Sequence, residues 1–262
     1  MGQLWNNFKI AFSMYSKIPM PRSDWKKENM KYAMCFFPWI GAAIGVCSVL
    51  FFYLMSWLQT GGTAISDSFV TVVLLLIPVC ITGGIHLDGL LDTADAMSSY
   101  QERERRLEIL KDSHAGAFAI ITCVVYFLLY YGVYSMVTRD SIVVIGCSFL
   151  LSRTLSGLSV VTFPLAKGTG LVATFSDHAQ KKTVRKVLFC YLILVSVVMC
   201  IIGGVPGGVG VALAGLTFWY YYRMSVKNFG GITGDLAGWF LQICELVMAL
   251  GIVLADVFMK VS

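Results

Sequence analysis

Residues 187–204 read VLFCYLILVSVVMCIIGG, and residues 207–223 read GGVGVALAGLTFWYYYR. Two apolar blocks, each near the length of about 20 residues that crosses a hydrocarbon core, stand together with only Val205 and Pro206 between them. Blocks of the same kind occupy roughly 35–58, 68–83, 116–137, 141–163 and 236–258. Together they predict an all-α fold, a polytopic membrane helix bundle of about seven transmembrane helices forming one domain over 1–262. The composition agrees: 57% of the 262 residues are hydrophobic and only 13% are charged, against about 25% charged in a soluble domain. With a mean hydropathy of +0.75, the chain is neither an ordinary soluble globule nor a disordered one.

Ahead of the first block, Leu4, Phe8, Ala11, Phe12 and Tyr15 recur at helical spacing, with Lys9 and Lys17 off that stripe. This predicts an amphipathic helix lying in the membrane interface within residues 1–32. Ile18-Pro19-Met20-Pro21 ends it. No uninterrupted apolar run of a cleavable signal peptide is expected there. All but three of the 20 lysines and arginines, Arg139, Arg153 and Lys260, fall on one side if the spans alternate. The positive-inside bias then predicts an amino terminus in the cytoplasm and a carboxyl terminus outside. The eight cysteines lie in the apolar blocks without C-x-x-C or metal-ligand spacing, so they read as small buried hydrophobes. The lipid bilayer is an expected partner and nucleic acid is not.

The chemistry concentrates in Gly83-Gly84-Ile85-His86-Leu87-Asp88-Gly89-Leu90-Leu91-Asp92-Thr93-Ala94-Asp95, directly after an apolar span. Asp88, Asp92 and Asp95 stand at i, i+4 and i+7 and share one helix face. Carboxylates this close repel one another, and no Lys or Arg within the stretch relieves them. A divalent cation would, and hard oxygen ligands without thiols favour Mg²⁺ or Mn²⁺ over zinc. His86 lies far around the helix from this face and is not expected to share the metal.

A second constellation, Gly230-Gly231-Ile232-Thr233-Gly234-Asp235, opens the last span. Its glycines allow backbone to approach a phosphate, and a helix start offers free N–H groups to an anion. Asp235 serves equally well there as a cap favoured by the helix dipole. Glu245, isolated within Leu-Gln-Ile-Cys-Glu-Leu-Val-Met, must face the bundle interior or a cavity. Both groups of carboxylates emerge on the same side, which favours one shared site. Lys111 and His114 end the loop that begins with the aspartates, and Lys167 follows the span holding Arg153. Cations near clustered carboxylates suit a phosphorylated substrate, with Mg²⁺ bridging phosphate oxygens. The residues alone thus point to a Mg²⁺-dependent enzyme acting on a phosphate or pyrophosphate at the cytoplasmic face.

The acidic stretch resembles the signature of the cobalamin synthase family, the adenosylcobinamide-GDP ribazoletransferases. The resemblance continues through Lys111-Asp112-Ser113-His114-Ala115-Gly116-Ala117-Phe118, Ser152-Arg153, Lys167-Gly168-Thr169-Gly170-Leu171 and Gly230 to Gly238, and Phe12 to Pro21 resembles the family's aromatic entry. Ala96 and His114 stand where glycine and often arginine are expected. The resemblance implies a transferase that joins adenosylcobinamide-GDP to α-ribazole or its 5′-phosphate and releases GMP, late in coenzyme B12 biosynthesis. It also implies a bacterial or archaeal cytoplasmic membrane. It implies Mg²⁺ on Asp88, Asp92, Asp95 and Asp235, with Glu245 following, and a catalytic role for the three clustered aspartates; one carboxylate, Asp92 among the candidates, would accept the hydroxyl proton, and the sequence does not assign which. Lys111, His114, Arg153, Lys167, Gly231, Thr233 and Gly234 would bind phosphates. Neighbouring corrinoid-pathway enzymes, or a second copy of the chain, are the implied protein partners.

Two other readings compete. A CDP-alcohol phosphotransferase also displaces a nucleotide with clustered aspartates, and Asp88-Gly89-Leu90-Leu91 begins as its motif does. Asp92-Thr93, however, stands where that family wants Ala-Arg, and its downstream Gly-x-x-x-Asp-x-x-x-Asp is missing. A cation-coupled transporter would want its acids near the bilayer midplane and paired repeats; only Glu245 lies that deep, and no repeat is detectable.

Overall fold

The computed structural model describes residues 2–23, 25–112 and 114–261; Ser113, within the Lys111–Phe118 segment, lies outside them. The helices are α1 (Gly2–Tyr15), α2 (Ala33–Thr60), α3 (Asp67–Thr82), α4 (Ile85–Ser98) and α5 (Arg103–Ile109). They continue with α6 (Ala117–Tyr134), α7 (Arg139–Thr162), α8 (Leu171–His178), α9 (Lys181–Phe229) and α10 (Gly234–Val261), and a short 3₁₀ turn covers Lys27–Met30.

Five helices, α2, α6, α7, α9 and α10, are long and apolar enough to cross a membrane, and the α3–α4 pair, bent by 94°, brings the number to as many as six. The 49 residues of α9 would run for about 73 Å if straight, more than twice the roughly 30 Å of a bilayer core. It is not straight. Gly204 takes φ 52 and ψ −126, outside the helical region, and Pro206 follows. A Cβ on Gly207 would fall on the Met199 carbonyl, so the two arms fold back on each other. The expected blocks 187–204 and 207–223 are these two arms, and this fold-back accounts for the difference between the helix count and the expected count of about seven spans.

Helix α7 is the axis of the bundle: 83% of its most apolar stretch is buried, against 17% for α9. Lipid tails are as apolar as leucine, so membrane helices associate by close packing rather than by the hydrophobic effect. Helix α2 meets that need with Gly41 and Gly45, where an added Cβ would strike the Phe149 and Gly146 carbonyls of α7. Leu50, Leu128, Ile201 and Trp219 stay exposed on the outer helices as an apolar belt.

Helix α1 packs one face against the bundle. Phe12 and Tyr15 are buried, Tyr15 packs 4.6 Å from the Phe37 ring, and Asn7 Oδ1 accepts the Tyr32 N–H at 2.7 Å. Lys9, expected on the polar side, is buried and donates to the Arg22 carbonyl at 3.1 Å; only Leu4 and Trp5 keep the apolar exposure of an interfacial helix.

The segments that follow α1, α3, α4, α7 and α9 gather at one end, while the α2–α3 and α6–α7 connections meet at the other, where Arg139 donates to Ser56 Oγ at 2.8 Å. At the first end Lys17 N–H donates to the Ile81 carbonyl at 2.7 Å, Gln180 N–H to the Lys31 carbonyl at 3.0 Å, and Arg106 to Asn228 Oδ1 at 2.7 Å.

Candidate active site

The acidic stretch enters this end through two consecutive left-handed glycines, Gly83 (φ 66) and Gly84 (φ 79), a backbone state that β-carbons disfavour. They turn the chain so that α4 leaves the line of α3 and runs over the first turns of α6 and α10. Gly89 and Gly238 let α4 and α10 cross closely: a Cβ on Gly89 would stand 2.9 Å from the Asp235 Cα, and one on Gly238 2.9 Å from the His86 carbonyl oxygen.

This crossing brings Asp88 and Asp92 to Asp235. Burial, then the charges of Asp88, Asp235 and Asp95, push the Asp92 carboxyl up to about 7. Asp95 has a different attachment. Its two oxygens accept the Gly116 N–H at 2.6 Å and the Ala119 N–H at 2.9 Å, so it caps the start of α6 from another helix. Thr233 caps α10, accepting the Leu236 N–H at 3.2 Å and donating to Asp235 Oδ2 at 3.3 Å.

Two adjoining cavities share Leu171, Val172, Gly234 and Asp235 as a common wall. The polar one, about 230 Å³, is lined by Lys111, Lys167 and Thr233. Lys167 also donates to the Leu107 carbonyl at 2.7 Å, and burial, then the ammonium of Lys111, holds it below the usual lysine range. The second, about 180 Å³, is lined by Tyr15, Phe37, His86 and Asp88 together with aliphatic side chains. His86 is buried against Tyr15 and Phe37, with ring centroids 6.2 and 6.0 Å away, and its Nε2 has no hydrogen-bond partner among the described residues.

The site residues read from the sequence thus separate. Asp88, Asp92, Asp235, Lys111, Lys167, Thr233 and Gly234 gather around the cavities. Gly231 does not offer its backbone to a phosphate: Pro164–Ala166 fill the space where its Cβ would be, and Ile232 bridges to Leu165. His114 is exposed and pairs with Asp112 at 2.7 Å. Glu245 and Arg153 are each other's partner, 2.6 Å apart and fully buried, with Ser152 donating to Glu245 at 2.9 Å. The sequence reads Tyr15 only as part of the apolar stripe of α1 and does not mark Phe37 as a site residue, because helical spacing does not show which cavity a side chain faces.

Asp88, Asp92 and Asp235 have the chemistry of a Mg²⁺ donor set: hard oxygens, no thiol, and a mutual repulsion that a cation relieves. Among the described residues no three His, Cys, Asp or Glu side chains form a ready metal cage. Mg²⁺ commonly needs only one or two carboxylates plus substrate phosphates and water, so the set fits an ion that arrives with a pyrophosphate.

The model of the cobalamin-5-phosphate synthase family matches residues 7–253. The chain is 48% identical over 251 residues to an adenosylcobinamide-GDP ribazoletransferase of Lachnoclostridium phytofermentans, covering 96% of this chain and 94% of the relative. Relatives with the same name from Clostridium botulinum (32%, covering 94% and 96%) and Geobacillus thermodenitrificans (30%, covering 95% of each) match along the same length. No solved structure matches the chain.

Proposed function

The chain belongs to the cobalamin-5-phosphate synthase family, and on that premise we propose that it transfers the cobinamide phosphate of adenosylcobinamide-GDP to α-ribazole or α-ribazole 5′-phosphate, releasing GMP. The observation that carries this reading is the crossing of α4 over α10, which sets Asp88 and Asp92 beside Asp235 with Lys111 and Lys167 across the same wall. Carboxylates on one side and ammonium groups on the other suit a pyrophosphate, whose charge needs both a metal and cations.

Asp88, Asp92 and Asp235 would hold Mg²⁺. The bound ion supplies charge stabilisation at the pyrophosphate oxygens and at the departing GMP. Lys111 and Lys167 neutralise and orient the remaining phosphate oxygens. The acceptor's ribose 3′-hydroxyl attacks the phosphorus attached to cobinamide, the bond from that phosphorus to the GMP oxygen breaks, and Asp92 takes the hydroxyl proton. Asp95 stays on the α6 amides, and the Glu245–Arg153 pair holds the bundle together behind the site. The end that carries the site faces the cytoplasm, since the basic residues collect there.

The test is GMP release from adenosylcobinamide-GDP by the detergent-purified protein, with and without Mg²⁺ and α-ribazole 5′-phosphate. Release that needs both is expected. No release by the folded, Mg²⁺-supplied protein with either acceptor would remove the assignment.

A further inference from the structure

A groove of about 580 Å³ lies between the two arms of α9 and the central helix α7, away from the acidic site. Leu151, Leu155 and Leu158 of α7, at i, i+4 and i+7, form its floor. One wall is the first arm, where Phe189, Leu192 and Ser196 follow Arg185 along one face. The other wall is the second arm, with Val211, Ala214, Gly215 and Phe218. The arms touch at the fold-back, where Gly207 meets the Met199 carbonyl, and the groove opens between them toward the site end. Gly215 hollows it further, since a Cβ there would meet nothing within 4 Å.

Length and charge together point to what fills it. From Arg185 to Ser196 the first arm rises about 16 Å, about half of the roughly 30 Å hydrocarbon core. The groove therefore spans one leaflet, whereas a membrane-crossing partner helix would run on for the other half without it. Charge stands only at its site end: Arg185 lines the mouth, and Lys181 and Lys182 lie one turn before it on the same helix face. Arg185 donates to the Val161 carbonyl at 3.3 Å, and none of these three cations has a carboxylate partner among the described residues. Phe189, 55% exposed, leaves the side of the groove open to the bilayer.

We propose that this groove is a binding site for one anionic phospholipid of the leaflet at the site end, with an acyl chain between the arms of α9 and the phosphate on Arg185 and Lys182. The proposal stands apart from the transferase reading. Basic residues at a membrane surface attract anionic lipids without fixing any one of them; here an apolar slot of one leaflet's depth continues directly from the cations. The chain fills space that α7 and the two arms leave unpacked, in a bundle whose helices associate by close packing.

The experiment titrates the delipidated full-length protein in detergent with equal amounts of dioleoylphosphatidylglycerol and dioleoylphosphatidylcholine, and native mass spectrometry counts the adducts. One phosphatidylglycerol is expected to be held roughly tenfold more tightly than phosphatidylcholine. Arg185→Gln is expected to cut that preference to roughly twofold. Lys227→Gln removes one charge from the second arm outside the groove and is expected to leave it unchanged. Gly215→Phe, whose ring enters the open space, is expected to lose the tightly held lipid of either kind while keeping its unfolding temperature. Equal retention of the two lipids by the unaltered protein overturns the proposal whether or not any variant folds. A preference lost as fully in Lys227→Gln as in Arg185→Gln overturns it in favour of general surface charge, and one that survives in Gly215→Phe takes the lipid out of the groove. A doubled mass in place of a lipid adduct, abolished by Gly215→Phe, overturns it in favour of a second copy of the chain.

Discussion

At Asp92 burial and three neighbouring carboxylates act in the same direction, so the metal-free fold holds a proton there more tightly than the unfolded chain does. Stability from this group is greatest below the unfolded value of 3.8 and is lost as pH rises toward about 7. Asp92→Asn is expected to remove that slope, which thermal unfolding in detergent between pH 4 and 7 without divalent metal would show. It is also expected to lower GMP release by on the order of 10²–10³-fold; turnover near that of the unaltered protein would take Asp92 out of the site. Asp95→Asn keeps one acceptor oxygen of two and so loses one of its hydrogen bonds to the α6 amides. A destabilisation of about 1 kcal/mol is expected, read as a lower unfolding temperature, with a smaller fall in turnover than Asp92→Asn gives. The three aspartates were legible in the sequence because i, i+4, i+7 spacing fixes a shared face. That one of them caps a helix beginning 22 residues later was not, because nothing local marks the partner.

Helix positions were largely legible, since apolar blocks with charged ends leave little freedom in a membrane. What the sequence did not reveal is how the helices meet. Gly83-Gly84 sets the bend that lays α4 across the bundle end, and Gly89 lets it touch α10. A Cβ at position 89 would stand 2.9 Å from the Asp235 Cα, so Gly89→Ala must lift α4 from α10. Such a displacement, near 1 Å, is expected to cost roughly 10²-fold in turnover with a modest loss of stability. Steady-state GMP release set beside an unfolding curve separates the two effects, and a variant with unaltered turnover would show that the crossing does not position the site. The apolar lengths of 187–204 and 207–223 suggested two spans, but the backbone break at Gly204 that separates the two arms of α9 was not marked by apolar length.

For the whole molecule, the basic loops at the site end and the sparse charge at the other end make one orientation testable. A phosphatase domain fused after Ser262 is expected to be active and a fluorescent protein there dark, as for a carboxyl terminus outside the cytoplasm; the reverse pattern would invert the bundle and put the site on the wrong side for its nucleotide substrate. The buried Arg153–Glu245 pair adds a constraint in time. An arginine at the middle of a membrane helix costs about 2.5–3.5 kcal/mol to insert, and the carboxylate that neutralises it lies 92 residues further along the chain. During synthesis α7 therefore emerges from the ribosome long before its counter-ion exists. The central helix of this bundle must wait, sheltered by the insertion machinery or held shallow in the bilayer, until the last helix follows it into the membrane.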